Sequence, residues 1–211
     1  MIKKIVLATQ NKDKVKEIKH IFESLKLNIE LLSVSDFFDK KIEIEEDGKT
    51  LRENAIKKAK VIGNLTGLPS LSEDTGLFVD YLNGAPGVYS SRYADTDPKK
   101  HTASYEDNYR KLLKELKDVH WEKRTAKFIC IFCLFLPKQD KCYTRKGEVK
   151  GYITFEPKGS NGFGYDPVFF YPPKGKTFAE LSSEEKNSLS HRFLAIKKIA
   201  VLIKELKWVD E

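Results

Sequence analysis

Two adjacent acids, Glu73 and Asp74, stand in the run Ser72-Glu73-Asp74-Thr75-Gly76-Leu77-Phe78-Val79, with apolar residues on both sides. Carboxylates enter apolar surroundings only when they are paired or bind a metal, because desolvating an unpartnered charge is costly. A strand ending in Glu-Asp-Thr-Gly, with glycine allowing a sharp turn, would hold both acids at a sheet edge facing a cleft. An ordinary polar turn between two strands is the competing reading. A second source of carboxylates is Glu43-Ile44-Glu45-Glu46-Asp47-Gly48, just before a helix expected over residues 50–65. Those acids complement the helix dipole, or one of them joins Asp74 on a metal.

Two further stretches suit a phosphorylated, flat ligand. Thr9-Gln10-Asn11-Lys12-Asp13-Lys14 lies between a strand expected at residues 2–8 and a helical repeat of Val15, Ile18, Phe22 and Leu25. Free backbone N–H groups at such a helix start favour an anion, and Lys14 adds a point charge. The glycines of a Walker A loop are missing. Asn11 as a plain helix cap with Lys14 in solvent is the alternative. The loop Pro157-Lys158-Gly159-Ser160-Asn161-Gly162-Phe163-Gly164-Tyr165-Asp166-Pro167 lets backbone approach a flat ligand. Phe163 or Tyr165 offers a ring for stacking on a base, and Asp166 an acceptor for a base N–H. A glycine loop with buried aromatics explains the same residues. Arg92, between Tyr89 and Tyr93, is a phosphate grip or an interface residue.

The elements that must position these groups are legible in outline. Besides the strand and helices above, strands are expected near residues 29–34, 125–136, 141–146 and 149–155, and a helix over 103–116. Crowded strands with few helical patterns between them predict antiparallel pairing and a mixed sheet. Ser182 and Glu185 form a capping box that starts a helix. Run unbroken to Leu206, it would point Lys186, His191 and Arg192 at about 0°, 140° and 240° around its axis. We therefore expect a short helix to about Lys186, a break at 187–189, and a new helix capped by Ser190. His191 and Arg192 then fall in its first turn, where an acceptor-rich ligand is welcome.

Bulk properties exclude several classes. No apolar run nears the roughly 20 residues needed to span a bilayer, and the apolar part of the N-terminus is too short for a signal peptide; a cytoplasmic protein is expected. The net charge of +7 suits a polyanionic partner, but Lys and Glu are interspersed and no basic stripe with interleaved aromatics marks a nucleic-acid binder. Three cysteines form no closed disulfide set. Cys130 and Cys133 lie three apart in a strand pattern, so their sulfurs point to opposite faces and cannot share a metal.

Taken together, four stretches resemble the inosine triphosphate pyrophosphatase family in its bacterial form. They are Thr9-x-Asn11-x-x-Lys14-x-x-Glu17; Glu73-Asp74-Thr75-Gly76-Leu77 with Gly84-Ala85-Pro86-Gly87; Gly162-Phe163-Gly164-Tyr165-Asp166-Pro167; and Glu185-Lys186-Asn187 with Ser190-His191-Arg192. Glu46 upstream of Glu53-Asn54-Ala55 also fits, and the match runs in order along nearly the whole chain. Several positions depart from the pattern: Glu73 stands where Asp is common, Thr75 where Ser is common, and Gln10 and Lys12-Asp13 replace a glycine-richer turn. The resemblance implies an α/β fold, an elongated mixed β-sheet flanked by helices, with residues 1–211 forming one domain of two lobes around a central cleft. It implies a homodimer and a Mg²⁺-dependent hydrolase that splits inosine, deoxyinosine and xanthosine triphosphates into monophosphate and pyrophosphate. By position, Thr9, Gln10, Asn11, Lys12, Asp13 and Lys14 would hold the triphosphate. Glu46 and Asp74 would serve the metal, with Glu73 a further candidate ligand. Asp74 would also activate water, and Thr75 touch substrate. Phe163, Gly164, Tyr165, Asp166, Lys186, His191 and Arg192 would form the base pocket. Competing readings are a Maf-like (septum-inhibitor type) pyrophosphatase acting on modified pyrimidine triphosphates, and a nucleotide-sensing or RNA-binding module without turnover.

Overall fold

The β-branched, apolar start of the chain forms strand β1 (Lys4–Leu7). The computed structural model describes residues 4–97 and 102–206, so residues 2 and 3 of the expected strand lie outside them. Along the chain follow α1 (Lys12–Ser24), β2 (Glu30–Ser33), α2 (Leu51–Thr66), β3 (Ser70–Val79), α3 (Tyr105–Glu115), β4 (Thr125–Leu136), β5 (Lys141–Ile153), β6 (Phe169–Tyr171), β7 (Lys176–Thr177), α4 (Ser183–Leu189) and α5 (His191–Glu205). The strands form one sheet of order β2-β1-β3-β4-β5-β6-β7. β1 runs parallel to β2 and β3, while β6 is antiparallel to β5 and β7. The fold is therefore mixed α/β, a central sheet flanked by helices, as expected.

The chain divides into two compact units, whose boundaries fall inside β3, β4 and β5 and at Ser190. The first comprises Met1–Asp74, Cys130–Gly147 and His191–Glu211. In it, the period-two alternation of strands sorts side chains to two faces. Ile5 and Leu7 of β1 and Cys130, Phe132 and Leu134 of β4 pack with Ile18, Ile21 and Phe22 of α1 and Ile196 and Ile199 of α5. On the other face Cys133 and Phe135 pack with Ala55 and Ala59 of α2, and Val6 with Ile62. Cys130 and Cys133 are core residues on opposite faces, as their spacing required.

The second unit comprises Thr75–Ile129 and Glu148–Ser190. Its core includes the rings of Phe128, Phe169 and Phe178, whose centroids lie 4.6–6.0 Å apart. Arg124 is fully buried; among the described residues its guanidinium donates to the carbonyls of Leu116, Val119, Ile153 and Thr154. Four carbonyl acceptors make that burial tolerable.

Four expectations need correction. The acids Glu73 and Asp74 lie mid-strand in β3, which is flanked by β1 and β4 and is no sheet edge. Gly76 makes no turn there: a Cβ on it would sit 2.4 Å from the carbonyl oxygen of Gly87, so glycine permits a close crossing of extended backbone. The two strands expected over 141–155 are one, β5, because Gly147 does not interrupt it. A Cβ at Gly147 would lie 1.9 Å from the carbonyl oxygen of His191, so this glycine is where α5 rests on the strand. β6 and β7, of three and two residues, are too short to show any periodicity and were not anticipated. Finally, α4 extends to Leu189, and the break sits at Ser190 alone, extended at φ −68°, ψ 161°. The essential expectation holds: two helices, with His191 and Arg192 opening the second.

Candidate active site

The first unit gathers one charged group around β3. α2 is opened by a Thr50–Glu53 capping box and buries the stripe Leu51, Ala55, Ala59 and Ile62. Asn54 and Lys58, four residues apart, lie on the same buried side. Asn54 Nδ2 donates to Asp74 Oδ2 at 3.2 Å. Lys58 Nζ lies 3.0 Å from both Asp74 Oδ1 and Glu46 Oε1. Burial raises the Asp74 carboxyl above its usual range; Lys58 works against this and the Glu46 charge reinforces it. Asp74 is thus held where proton uptake is easier than for an exposed aspartate.

Glu73, its neighbour on the opposite face of the strand, is saturated. Its Oε1 accepts from Lys14 Nζ at 2.8 Å and Arg192 Nη2 at 3.2 Å. Its Oε2 accepts from Arg192 Nε at 3.0 Å and the Cys130 thiol at 3.1 Å. Arg192 Nη1 pairs with Glu17. Burial alone would raise the Glu73 carboxyl, but Arg192 and Lys14 outweigh it and hold it well below the usual range. Burial likewise opposes the charge on Lys14, and the Glu73 and Asp74 carboxylates outweigh it and raise its pKa.

The expected phosphate turn leads into this group. Asn11 caps α1, its Oδ1 accepting from Asp13 N at 3.0 Å and Lys14 N at 3.1 Å. The Thr9 hydroxyl accepts from Asn11 N at 3.3 Å, and Gln10 Nε2 donates to the Ile42 carbonyl at 3.5 Å. Lys12 and Asp13 are exposed. So the cap reading of Asn11 holds, while Lys14 is engaged by Glu73 and not simply solvated.

The residues expected to read a base do not all fall in one unit. His191 and Arg192 belong to the first, both buried, with Arg192 turned to Glu73 and Glu17. Phe163, Gly164, Tyr165, Asp166 and Lys186 belong to the second. There Asp166 Oδ2 accepts from Phe163 N at 2.8 Å and pairs with Lys186, whose ammonium lies 4.9 Å from the Phe163 ring centroid. Gly164, at φ +65°, follows the half-buried Phe163. Tyr165 is buried, donates its hydroxyl to Ser90 O at 2.9 Å, and has its pKa pushed up by that burial. Phe163 is therefore the accessible ring of the two. Tyr105 packs on it, ring centroids 5.7 Å apart. Thr75 is half-buried in β3.

Asn54, Lys58 and Glu17 went unassigned in the sequence reading. A lysine and an asparagine inside the apolar stripe of α2 were the legible signal for the first two. Among the described residues no three of His, Cys, Asp and Glu gather as a metal site. Glu46 and Asp74 nevertheless converge on one ammonium, and two carboxylates are a sufficient protein share for Mg²⁺, which takes its other ligands from phosphate and water.

A family model described as the Ham1 family matches residues 5–202. The chain belongs to the Ham1 family. Among its Ham1 relatives, a dITP/XTP pyrophosphatase of Geobacter sulfurreducens is 50% identical over 205 residues, covering 97% of each chain. A dITP/XTP pyrophosphatase of Bacillus licheniformis is 46% identical over 202 residues, 96% of this chain and 98% of that one. A solved Ham1 structure from Coxiella burnetii superposes with a TM-score of 0.84 at 38% identity, covering 97% of this chain and all of that one. A nucleoside-triphosphatase, dITP/XTP pyrophosphatase, from Mycobacterium abscessus superposes at 0.72 with 35% identity over the same shares.

Proposed function

We propose that this chain hydrolyses ITP, dITP and XTP to the monophosphate and pyrophosphate, clearing deaminated purines from the nucleotide pool, with Mg²⁺ as cofactor. The observation that carries the reading is the buried Asp74, fixed by Asn54 and Lys58 and facing the charge of Glu46. A module that only binds nucleotide has no use for a carboxylate oriented and raised in this way. The names carried by the Geobacter and Bacillus relatives support the same substrates.

In this reading water attacks the α-phosphorus, the bond from that phosphorus to the bridging oxygen breaks, and pyrophosphate leaves. Asp74 takes the proton of the attacking water, and Asn54 and Lys58 keep its two oxygens in a fixed direction. Lys14, with Thr9 to Asp13 around it, holds the triphosphate, and Thr75 touches substrate next to Asp74. Glu46 and Asp74 would hold Mg²⁺, which supplies charge neutralisation on the phosphates when bound. Phe163 offers the stacking face. Lys186, beside that ring, donates to the 6-keto oxygen, with His191 as a second donor; Asp166 fixes Lys186 and the loop instead of meeting the base. Adenine would set an amino group against these donors and leave them unpaired, a large penalty. Guanine shares the 6-keto edge, so its exclusion falls on the 2-amino group. A homodimer in the cytoplasm completes the proposal; among the described residues no helix is long and apolar enough to cross a membrane.

Pyrophosphate release from ITP, dITP, XTP, ATP, GTP and modified pyrimidine triphosphates, with Mg²⁺ and with chelator, tests this. The expected result is kcat/KM at least about 10²-fold higher for the three deaminated purines than for ATP, a floor well within what leaving a built hydrogen-bond donor unpaired can exact. Preference for modified pyrimidines would transfer the chain to the Maf-like reading.

A further inference from the structure

We infer that Glu73 is a positioning residue and not a metal ligand, its carboxylate holding Lys14 and Arg192 so that the lysine meets the triphosphate in one place. The inference rests on the pyrophosphatase reading for what Lys14 does, though not for how Glu73 is engaged. A carboxylate offers about four lone-pair directions, and Glu73 has a donor in each: Lys14 and Arg192 on Oε1, Arg192 and Cys130 on Oε2. Its side chain has no exposed area, whereas that of Lys14 is 19% exposed. A cation would have to displace a buried guanidinium or ammonium to reach Glu73, exchanging a satisfied pair for a repulsion. Asp74, one residue on, instead shares the Lys58 ammonium with a second carboxylate, Glu46.

The network also explains the station of Arg192. Nε and Nη2 grip Glu73 side-on and Nη1 reaches Glu17, so one guanidinium ties β3 to α1 and to the first turn of α5. Lys14 is on α1 too, three residues from Glu17. Glu73 and Arg192 therefore set the position of the helix as well as the direction of the lysine it carries. Lys14 spends one of its three N–H groups on Glu73 and keeps the others for phosphate.

Glu73→Gln in the full chain, alone and combined with Lys14→Met, tests this. Three quantities are read: Mn²⁺ affinity by electron paramagnetic resonance at saturating non-hydrolysable inosine triphosphate, tripolyphosphate affinity by calorimetry in chelator, and KM for ITP. Mn²⁺ affinity should stay within about twofold of the parent, the ordinary limit of additivity for groups that do not interact. Tripolyphosphate Kd and KM should rise about tenfold, the scale of one charge-assisted hydrogen bond. In the Lys14→Met background Glu73→Gln should add less than about twofold to either, because the lysine it positions is gone. A tenfold or greater loss of Mn²⁺ affinity would overturn the inference. So would an undiminished penalty in the Lys14→Met background. If Glu73→Gln does not fold, Glu73→Asp, which keeps the charge and shortens the reach, is read on the Mn²⁺ arm alone: affinity within about twofold of the parent is expected, and a tenfold or greater loss would overturn the inference. Failure of the functional reading looks different: the parent would release no pyrophosphate from ITP, while the metal and tripolyphosphate arms, which need no turnover, would still decide Glu73.

Discussion

At the scale of single residues, two neighbouring acids have been given opposite employment by their partners. Glu73 is neutralised from all sides, while Asp74 shares its salt-bridge partner, Lys58, with Glu46. The second arrangement leaves a carboxylate able to accept a proton; the first does not. Asp74→Asn preserves volume and the contact to Asn54 while removing the base. Turnover should fall by at least about 10²-fold, the usual share of a general base, with nucleotide affinity largely kept. Steady-state kinetics alongside equilibrium binding would measure both, and retained turnover would remove Asp74 from that role.

At the scale of elements, positions follow from close backbone approaches and from caps. Gly147 lets the start of α5 rest on β5, since a Cβ there would also sit 2.6 Å from the Ala195 backbone nitrogen. Gly147→Ala should push α5 off the sheet and destabilise the protein by about 1–3 kcal/mol, the cost of an overpacked contact, read by urea unfolding. Activity should fall with it, because His191 and Arg192 ride on that helix start. The caps give a pH dependence. The Ser104 hydroxyl, and then its backbone N–H, hold the Asp107 carboxyl below its usual range, and the Ser182 backbone N–H does the same for Glu185. A carboxyl depressed in the folded state adds stability that is complete above its unfolded value, near 4, and is lost as pH falls through the folded value. The first turns of α3 and α4 should therefore fray early on acidification. Loss of their amide protection in hydrogen exchange below about pH 4, and its absence from Glu185→Gln at α4, would show it.

At the scale of the whole molecule, the metal should matter for chemistry and not for folding. Glu46 and Asp74 already share Lys58, so removing a cation leaves no bare pair of charges in the core. Chelation should abolish pyrophosphate release while leaving the thermal unfolding midpoint nearly unchanged; a large drop in the midpoint would mean the fold itself depends on the ion. The surplus of cations over anions, +7 formally, suits a polyanionic substrate and adds a salt-dependent attraction to it.

Much of this protein was determined by the sequence alone, wherever the deciding physics reaches only a few residues. Hydrophobic period marked α1, α2, α3, β4 and α5, and the divergent directions of Lys186, His191 and Arg192 on one helix called for two, with His191 and Arg192 opening the second, although the break falls at Ser190 and not at 187–189. Alternation separated Cys130 from Cys133. Local rules failed where a distant backbone supplied the reason for a residue, as at Gly76, which reads as a turn and is a close crossing, and at Gly147, which lies between two expected strands that are one. Only the tertiary structure decided which charge meets which. Glu73 and Arg192 are 119 residues apart, and no spacing along the chain tells whether a buried guanidinium turns toward a base or toward a carboxylate. That choice belongs to packing, because the cost of an unpaired buried charge forces each ionised group onto whichever partner the folded core brings within reach.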